Sequence, residues 1–249
     1  MLKSKLFCSL SVAFALSVGA WASEGVHWDY SEDKGPKHWG DLDKQFALCK
    51  VGKAQTPIDI ITSKAKKTKQ DVAFAYANNT KDIVNNGHTI QVNVNGGASS
   101  ITFNGVVYEL VQFHFHTPSE NQIDGVKFPL EAHFVHKNDK GNLLVVGVLF
   151  NEGAENKAFE KVFKNLPQAA GKSKKLEKVD ISALLPESKA YYEFMGSLTT
   201  PPCSENVQWV VLKTQLEASK KQISSLEAIL HNNARDIQPL GKRVVKVSE

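Results

Sequence analysis

Two histidines separated by one residue, His114 and His116, form the clearest metal-binding pattern in the sequence. They end a run of β-branched and aromatic residues at 106–116 that is typical of a β-strand, in which residues two apart share one face. Phe113 and Phe115 would then fill the opposite face, so both faces look buried. Because a buried imidazole without a partner is costly, we expect the two histidines to bind one ion rather than to lie on an exposed strand.

A third imidazole is expected from the next strand, since Asp124-Gly125 is a hairpin-type turn between the two segments. The segment at 131–136 contains both His133 and His136, whose opposite parity prevents them from facing the same metal. We favour His133 as the ligand and interpret His136 as a rim or structural histidine. Three neutral imidazoles from neighbouring strands suit a catalytic zinc ion that keeps a fourth position for water.

Gln112 and Glu131 each lie two positions before a predicted ligand and on the same strand face. A metal-bound imidazole usually donates its other N–H to an acceptor, which fixes the tautomer and orientation of the ring. We interpret the two residues as acceptors of this kind. The alternative is that they are ordinary polar strand residues.

The elements that would position these histidines are mostly strands. Short β-branched or aromatic runs alternate with turn signals from residue 72 to residue 213, which predicts a mostly antiparallel sheet. Helical periodicity occurs at only two places, with apolar residues on one face at 159–166 and at 223–230. No internal repeat or composition break divides the chain, so we expect one mostly β domain with a few peripheral helices.

Composition excludes several classes of protein. With 249 residues, 42% hydrophobic and 22% charged, the chain has enough apolar material for a large core and is unlike disordered, collagen-like or coiled-coil proteins. Its formal net charge is only +4, and two lysine-rich runs at 64–69 and 172–178 contain no interleaved aromatic residues. We interpret these runs as solvated loops and expect no nucleic-acid partner.

Residues 1–22 carry the features of a signal peptide. Two lysines precede an apolar run at 6–20, and Ala20-Trp21-Ala22 supplies the small residues that signal peptidase requires. The run is shorter than the ~20 residues of a membrane span, so we expect cleavage before Ser23 and no membrane anchor. The mature domain at 23–249 would then keep two of the three cysteines, Cys49 and Cys203.

Considered as a whole, the sequence resembles the α-class carbonic anhydrases, in particular a bacterial periplasmic one. The resemblance rests on motifs that follow the family's order: WDY at 28–30, GPKHW at 35–39, QTPIDI at 55–60, NNGH at 85–88, QFHFH at 112–116, EAHFVH at 131–136, GSLTTPPCSE at 196–205, Trp209 and QPLGKR at 238–243. It implies a central twisted, largely antiparallel sheet of about ten strands with zinc in a conical cleft. It also implies reversible hydration of CO2 to bicarbonate and a proton through a zinc-bound hydroxide.

The resemblance implies roles for individual residues, and the zinc ligands with their acceptors match the five residues deduced above. Thr199 matches the threonine that accepts a hydrogen bond from the zinc-bound hydroxide, Glu120 the carboxylate that receives the threonine's proton, and His88 an exposed proton shuttle. Thr199 and Thr200 border the substrate position. The polar side of the cleft matches Tyr30, Asn86 and Gln91, and its apolar wall matches Val135, Val145, Leu198, Val207 and Trp209.

The same resemblance implies several properties of the whole protein. Cys49 and Cys203 match a disulfide found in many exported members, which would anchor the loop that holds Thr199. Sulfonamides or small anions are expected to inhibit at the zinc, and side esterase activity is permitted. The predicted location is the periplasm, with secretion beyond the cell left open, and a homodimer is one option for the oligomeric state.

Three positions depart from the family's pattern. Asn121 stands where histidine is usual, which puts a local hydrogen-bond bridge in doubt, and Thr56 stands in place of serine. Asp236 occupies a position commonly taken by proline, so a looser C-terminal loop is expected.

Two other functions were weighed against this hypothesis. A zinc hydrolase acting on peptides or esters would need a base beside the metal, but the chain has no His-Glu-x-x-His helix and no carboxylate placed for that task. A catalytically weak carbonic anhydrase-like module that binds ligand or stores zinc is the non-enzymatic alternative. In such relatives a zinc histidine is often replaced, whereas all three are present here.

Overall fold

The computed structural model of the protein describes residues 26–69 and 71–248. The predicted signal peptide at 1–22 and its cleavage site before Ser23 lie outside the described residues. Within the described ranges, no helix is long and apolar enough to cross a membrane.

Sixteen strands and four short α-helices form in this part of the chain. The strands are β1 Asp59–Ile60, β2 Lys66–Lys67, β3 Val72–Ala75, β4 Thr80–Asn85, β5 Ile90–Val94, β6 Ser100–Phe103, β7 Val106–His116, β8 Gln122–Ile123, β9 Val126–Lys127, β10 Leu130–Lys137, β11 Leu143–Glu152, β12 Ser173–Lys175, β13 Tyr191–Ser197, β14 Glu205–Leu212, β15 Leu216–Ala218 and β16 Lys246–Val247. The helices are α1 Trp39–Leu42, α2 Leu48–Val51, α3 Glu160–Phe163 and α4 Lys220–Leu230, with 3-10 turns at Lys44–Phe46, Thr62–Lys64 and Ser182–Leu184.

One large twisted sheet contains thirteen of the described strands. Ten of them follow the path β12-β4-β5-β7-β10-β11-β14-β13-β16-β2, while β1, β8 and β9 form a separate small sheet. Most pairs are antiparallel, but β11 runs parallel to β14 and to β15, and β16 runs parallel to β2. The predicted mostly β fold is therefore confirmed, with some parallel pairs that the turn signals alone did not indicate.

The main apolar core lies on the face of the sheet that carries the phenylalanines of β7 and β10. Phe113, Phe115 and Phe134 are fully buried, and the rings of Phe113 and Phe134 stack with centroids 5.0 Å apart. Residues of α3 and α4, including Val162 and Leu226, belong to the same buried cluster. Strand β7 is thus covered on this face, as the alternation of its sequence predicted.

Helices form at both places where the sequence predicts them, but they differ in length. Helix α4 begins with a capping box, in which the Ser219 side chain accepts from the amide of Gln222, and buries Ile223 and Leu226. At 159–166 only the single turn of α3 forms, although Phe159 and Leu166 are buried as expected. Pro167 follows directly and disfavours helical backbone at the residue before it, so this helix cannot lengthen.

A β-bulge in β7 separates the two halves of this long strand. Val135 of β10 pairs with Gln112, whereas His136 pairs with Leu110, which leaves Val111 as an extra residue. A bulge changes which face the residues on its far side present. Period-two alternation from the histidines therefore holds only over 112–116, and Leu110 joins the main core.

The two lysine-rich runs form edge strands. Strand β12 ends the path of the large sheet on one side and β2 ends it on the other. The amide of Lys66 donates to the carbonyl of Val245 at 3.0 Å, while the side chains of β2 and β12 are all exposed. The interpretation of these runs as loops was wrong for Lys66–Lys67 and Ser173–Lys175, because exposed lysine is compatible with pairing along one strand edge.

Candidate metal centre

Three imidazoles meet between β7 and β10. These strands are antiparallel neighbours, and their register places His133 opposite His114 and Glu131 opposite His116. One nitrogen from each of the three histidines lies within 4.8 Å of the others. His116 and His133 are buried, and His114 is half-buried. The sequence prediction that these three residues converge is confirmed, and His136 lies apart from them.

The second nitrogen of each ring has a partner that orients it. Nδ1 of His114 lies 2.8 Å from Oε1 of Gln112, and Nδ1 of His116 lies 2.8 Å from the carbonyl oxygen of Asn233. Nε2 of His133 approaches Oε1 of Glu131 to 3.0 Å, a close contact rather than a well-aligned hydrogen bond. The nitrogens left to converge are Nε2 of His114 and His116 and Nδ1 of His133.

These residues fit a zinc ion by their chemistry. Nε2 of His116 is buried and has no hydrogen-bond partner among the described residues. Burial lowers the pKa of His116, and burial together with the charges of His116 and His133 lowers that of His114 well below its ordinary value. Both rings are therefore neutral near pH 7, as metal ligands must be. Three neutral nitrogens with room for a further ligand are a known donor set of catalytic zinc.

Glu131 is fully buried and connects His133 to the loop that contains Glu120 and Asn121. Its Oε2 accepts the amides of Glu120 and Asn121 at 2.8 and 2.9 Å, and its Oε1 accepts Nδ2 of Asn121 at 2.8 Å. Burial acts to raise the pKa of Glu131, but the close contact with His133 and the hydrogen bonds from Asn121 outweigh it and hold the pKa below its usual value. The carboxylate is therefore ionised beside His133.

Asn121 supplies the bridge that its departure from the family's pattern had put in doubt. Besides its two bonds to Glu131, its Oδ1 accepts the amide of Ile58 at 3.2 Å. The Asn121 side chain thus links Ile58, the residue before β1, to the Glu131 carboxylate that contacts His133. The expected weakness at this position is not observed.

Glu120 lies between the metal ligands and Thr199. It is fully buried, and its Oε2 is 3.4 Å from Nε2 of His116 and 3.8 Å from Nδ1 of His133. Burial raises the pKa of Glu120 to about 7, against the lowering effects of His133, the Arg235 amide and the Thr199 side chain. Thr199, itself buried, is therefore in hydrogen-bonding contact with this carboxylate.

Thr199 sits in a tight turn between β13 and β14. The amide of Leu198 donates to the carbonyl of Ser204, and the amide of Cys203 donates to that of Thr200, both at 2.9 Å. Cys203 forms a disulfide with Cys49, with Cα atoms 5.0 Å apart. The predicted disulfide is confirmed, and it joins the end of the Thr199 turn to α2.

Thr56 closes the other end of this turn. Its amide donates to Oγ of Ser197 and its own Oγ1 accepts the amide of Ser197, both at 2.9 Å. The threonine at this position therefore makes a reciprocal pair with the last residue of β13.

His88 is half-buried, so the expectation of an exposed histidine was wrong. Its ring stacks on the indole of Trp28, with centroids 3.7 Å apart and planes 7° from parallel. Burial lowers the pKa of His88, the charge of His27 lowers it further, and Asp29 acts in the opposite direction. Nδ1 of His88 is buried without a hydrogen-bond partner in the described ranges.

The remaining predicted cleft residues fall into two groups. Val145, Val207 and Trp209 are buried in one cluster, and Val135 and Leu198 pack against it. The rings of Trp209 and His133 meet edge to face at 4.9 Å, so this apolar group borders the imidazoles. Among the polar residues, Nδ2 of Asn86 lies 3.5 Å from Oε1 of Gln91, the hydroxyl of Tyr30 is buried near Glu120, and Thr200 is half-buried in its turn.

His136 lies on the core face of β10, fully buried. Its Nε2 is 2.7 Å from the hydroxyl of Tyr76 and its Nδ1 is 3.3 Å from the carbonyl of Leu144. Of the two roles considered for it, the structural one is observed.

Two residues of the site, Asn233 and Arg235, were missed by the sequence analysis. They lie in the irregular segment after α4 and are almost completely buried. Asn233 accepts from His116, and the amide of Arg235 donates to Oε1 of Glu120 at 2.9 Å. Such a segment has no periodicity or ligand spacing that could reveal these contacts. Asp236, which stands where the family commonly has proline, follows and is exposed. The amide of Gln238 then donates to the carbonyl of Pro57 at 2.7 Å, so the chain is held on both sides of Asp236.

Comparison with known proteins gives a consistent set of relatives. The family model described as eukaryotic-type carbonic anhydrase matches residues 34–249. A carbonic anhydrase of Pectobacterium carotovorum is 45% identical over 241 residues, covering 95% of this chain and 98% of that protein. One from Neisseria gonorrhoeae is 44% identical over 221 residues, covering 88% of this chain and 87% of the relative.

Solved structures of similar proteins share the fold. The α-carbonic anhydrase from Thermovibrio ammonificans, determined in complex with the inhibitor sulfanilamide, superimposes with a TM-score of 0.87 at 44% identity. It covers 90% of this chain and 100% of its own. An α-carbonic anhydrase from Photobacterium profundum gives a TM-score of 0.83 at 43% identity with the same coverage.

Proposed function

The chain belongs to the eukaryotic-type, or α, carbonic anhydrase family of enzymes, and on this premise we propose that it catalyses the reversible hydration of CO2 to bicarbonate and a proton. His114, His116 and His133 would hold the zinc ion. The observation that carries the proposal is the convergence of three imidazole nitrogens within 4.8 Å.

Zinc held there would supply the acidity that this reaction needs, because it lowers the pKa of a bound water to about 7, a magnitude established on carbonic anhydrases themselves. The protein's part is to hold the three ligands in place and to keep His114 and His116 neutral. Burial keeps His114 and His116 neutral, while Gln112, the Asn233 carbonyl and Glu131 each take up the second nitrogen of one ring. Acceptors in these places raise the basicity of the ligands and prevent the rings from turning.

Thr199 and Glu120 orient the attacking oxygen. In its ionised form, Glu120 can only accept a hydrogen bond from the Thr199 hydroxyl, which leaves the lone pairs of that hydroxyl to accept one from the nucleophile. An attacking oxygen placed here would donate a hydrogen bond to Thr199 and would keep a lone pair free for CO2. The amide of Arg235 holds Oε1 of Glu120, so that Oε2 stays on the side of the imidazoles.

An apolar wall suits the small, uncharged substrate. Val145, Val207 and Trp209 expose almost no surface to solvent and lie beside His133. CO2 loses little hydration energy on entering such a pocket, whereas water gains few hydrogen bonds there. The wall would therefore hold substrate next to the nucleophile and disfavour competing water.

His88 would carry the product proton away from the cleft. The neutral ring would accept a proton and pass it to buffer. Because burial lowers the pKa of His88, the ring returns to its neutral form readily at neutral pH. This favours rapid release rather than storage of the proton.

Further properties follow from the same proposal. Sulfonamides would bind at the metal, and small anions would compete for the same position; the Thermovibrio ammonificans enzyme forms a complex with the inhibitor sulfanilamide. The disulfide is typical of oxidising compartments, which supports export to the periplasm as a mature domain at 23–249. Side esterase activity would use the same nucleophile.

Stopped-flow CO2 hydration tests the proposal. We expect the mature protein to accelerate hydration above the buffer rate, to lose this activity when dipicolinate removes zinc, and to regain it when zinc is restored. His133→Ala should lose both zinc and activity. His136→Gln, on the core face of the same strand, should retain both. A protein that binds one zinc per chain without accelerating hydration would instead be the binding module considered above.

A further inference from the structure

Asn233 contacts both the metal ligand His116 and the proposed proton shuttle His88. Its backbone carbonyl lies 2.8 Å from Nδ1 of the metal ligand His116. Its side-chain Nδ2 donates to the carbonyl of His88 and to that of Phe115, both at 3.0 Å, and its Oδ1 accepts the amide of Thr117 at 2.8 Å. One almost completely buried amide therefore links the loop of His88 to the strand that carries the ligand.

We propose that Asn233 is a positioning residue for proton transfer, which fixes the His88 loop at a set distance from the metal ligand His116. The inference rests on the proposed function, in which His88 carries the proton. Transfer between two groups depends steeply on their separation and alignment, and a displacement of about 1 Å can cost on the order of 100-fold in rate. A rigid contact at the shuttle residue itself is therefore expected to matter for that step.

Among the contacts of the described residues, the bond from Asn233 is the one that holds the carbonyl of His88 itself. Oδ1 of Asn86 accepts the amides of His88 and Thr89, both at 2.9 Å, but these bonds lie within the loop and only shape it. Oγ1 of Thr89 donates to the carbonyl of Phe115 at 2.6 Å and accepts its amide at 3.2 Å, which anchors the residue after His88 to β7. The stack on Trp28 holds the ring against the N-terminal segment, not against the strand of the ligands.

The role of Asn233 toward His88 can be separated from its role as the acceptor for His116. The acceptor for His116 is the main-chain carbonyl, which any residue retains, whereas the contact with His88 needs a side-chain donor. Asn233→Ala removes the donor, and Asn233→Ser keeps a shorter polar group that cannot span both contacts. Asn232→Ala is the matched control, because Asn232 is the exposed neighbour whose side chain accepts only the nearby amide of Ala234 at 3.3 Å.

The test compares two kinetic constants of the zinc-loaded enzyme, normalised to zinc content. kcat in weak buffer reports proton transfer, and kcat/KM reports hydration of CO2. We expect Asn233→Ala to lower kcat by about tenfold or more while kcat/KM falls less than about threefold. Imidazole in the buffer should restore kcat, as it should for His88→Ala. Asn233→Ser should show the same pattern with a smaller loss, and Asn232→Ala should match the wild type.

A double variant adds an independent criterion. If Asn233 acts through His88, combining Asn233→Ala with His88→Ala costs little beyond His88→Ala alone, since coupled residues are not additive. A parallel fall of kcat and kcat/KM, an unchanged kcat, or additive losses would each overturn the proposal. The parent proposal fails separately, when the wild type shows no zinc-dependent hydration. An active wild type whose kcat is unaffected by His88→Ala would also overturn the inference, because Asn233 would then have no shuttle to position.

Discussion

The amide of Arg235 donates a hydrogen bond of 2.9 Å to Oε1 of Glu120, although the two residues are 115 positions apart in the chain. The guanidinium of Arg235 extends the connection in the other direction. Its Nη1 donates to Oε1 of Gln55 and to the carbonyl of Thr56, and its Nη2 donates to the carbonyl of Cys49, all within 2.9 Å. One residue thus joins the Glu120 carboxylate to the segment that fixes both ends of the Thr199 turn.

Replacing this guanidinium should reduce both stability and activity. Arg235→Lys substitutes a single ammonium that cannot make all three contacts, and we expect unfolding free energy to fall by about 3 kcal/mol. kcat/KM should fall as well, because the segment that fixes both ends of the Thr199 turn loses its guanidinium contacts, although the backbone amide at 235 still holds Glu120. Urea unfolding and stopped-flow hydration measure the two effects.

Arg243→Lys is the matched control for this variant. Arg243 is more exposed and donates to the carbonyls of Leu240, Met195 and Pro239, away from Glu120. Its replacement should cost about 1 kcal/mol or less and leave kcat/KM unchanged. Equal losses in the two lysine variants would contradict the supporting role assigned to Arg235.

Asn121→Ala should weaken zinc binding. The change removes the side-chain bond to Oε1 of Glu131 and frees the carboxylate behind His133. Loss of such a support typically lowers metal affinity by about 10- to 100-fold. Competition with dipicolinate measures the affinity, and Asn151→Ala, an exposed change on β11, serves as control. An affinity equal to the wild type would show that Glu131 is held by its backbone donors alone.

The environment of His88 predicts the direction of three pKa changes. Trp28→Ala uncovers the ring and should raise the pKa of His88, because burial is the main cause of its lowering. His27→Gln removes a nearby positive charge and should raise the pKa by less, whereas Asp29→Asn should lower it. An NMR titration of the His88 ring measures all three, and a shift of opposite sign in the Trp28 variant would refute the assignment.

Buried His136 should make the protein less stable in mild acid. Burial lowers the pKa of His136 to about 3, against the opposing effect of the Leu144 and Phe134 backbone, while an unfolded histidine titrates near 6.5. As the pH falls below 6.5, the unfolded state takes up a proton that the folded state refuses, so stability is lost. The expected loss from this group between pH 7 and pH 5 is about 2 kcal/mol.

Comparison of variants isolates this contribution. His136→Gln stays neutral and should lack the loss, while His38→Gln, an exposed substitution, should retain it. Urea unfolding at the two pH values provides the measurement. Identical pH dependence in wild type and His136→Gln would mean that another group causes the acid sensitivity.

Removing the disulfide should destabilise the fold and disturb the Thr199 turn. Cys49 and Cys203 are 154 positions apart, and a loop of this length is worth up to about 5 kcal/mol by chain entropy. The double change Cys49→Ser and Cys203→Ser should lower the urea midpoint and reduce kcat/KM. Mass spectrometry of active, natively exported protein should find no free thiol at either position, and free thiols there would contradict the prediction.

The sequence predicted the parts of the site that follow from strand geometry. Alternation in β7 and β10 was sufficient to bring His114, His116 and His133 together, because the side-chain period of a strand is fixed. Cover of His88 by Trp28 and the contacts of Asn233 and Arg235 were not predictable in this way. They join segments that are distant in the chain, and irregular backbone imposes no period from which to infer a partner.

The lysines of β2 and β12 lie on the two edge strands of the large sheet, where strands of other molecules could pair with it. In general, the outermost strand of a sheet is the place where a strand from another molecule could add. A second copy meeting the sheet at Lys66–Lys67 or at Lys174 and Lys175 would bring ammonium groups together and bury them. Like-charge repulsion and the cost of desolvation oppose that contact, so the lysines at both ends of the sheet disfavour edge-to-edge association between molecules at high concentration.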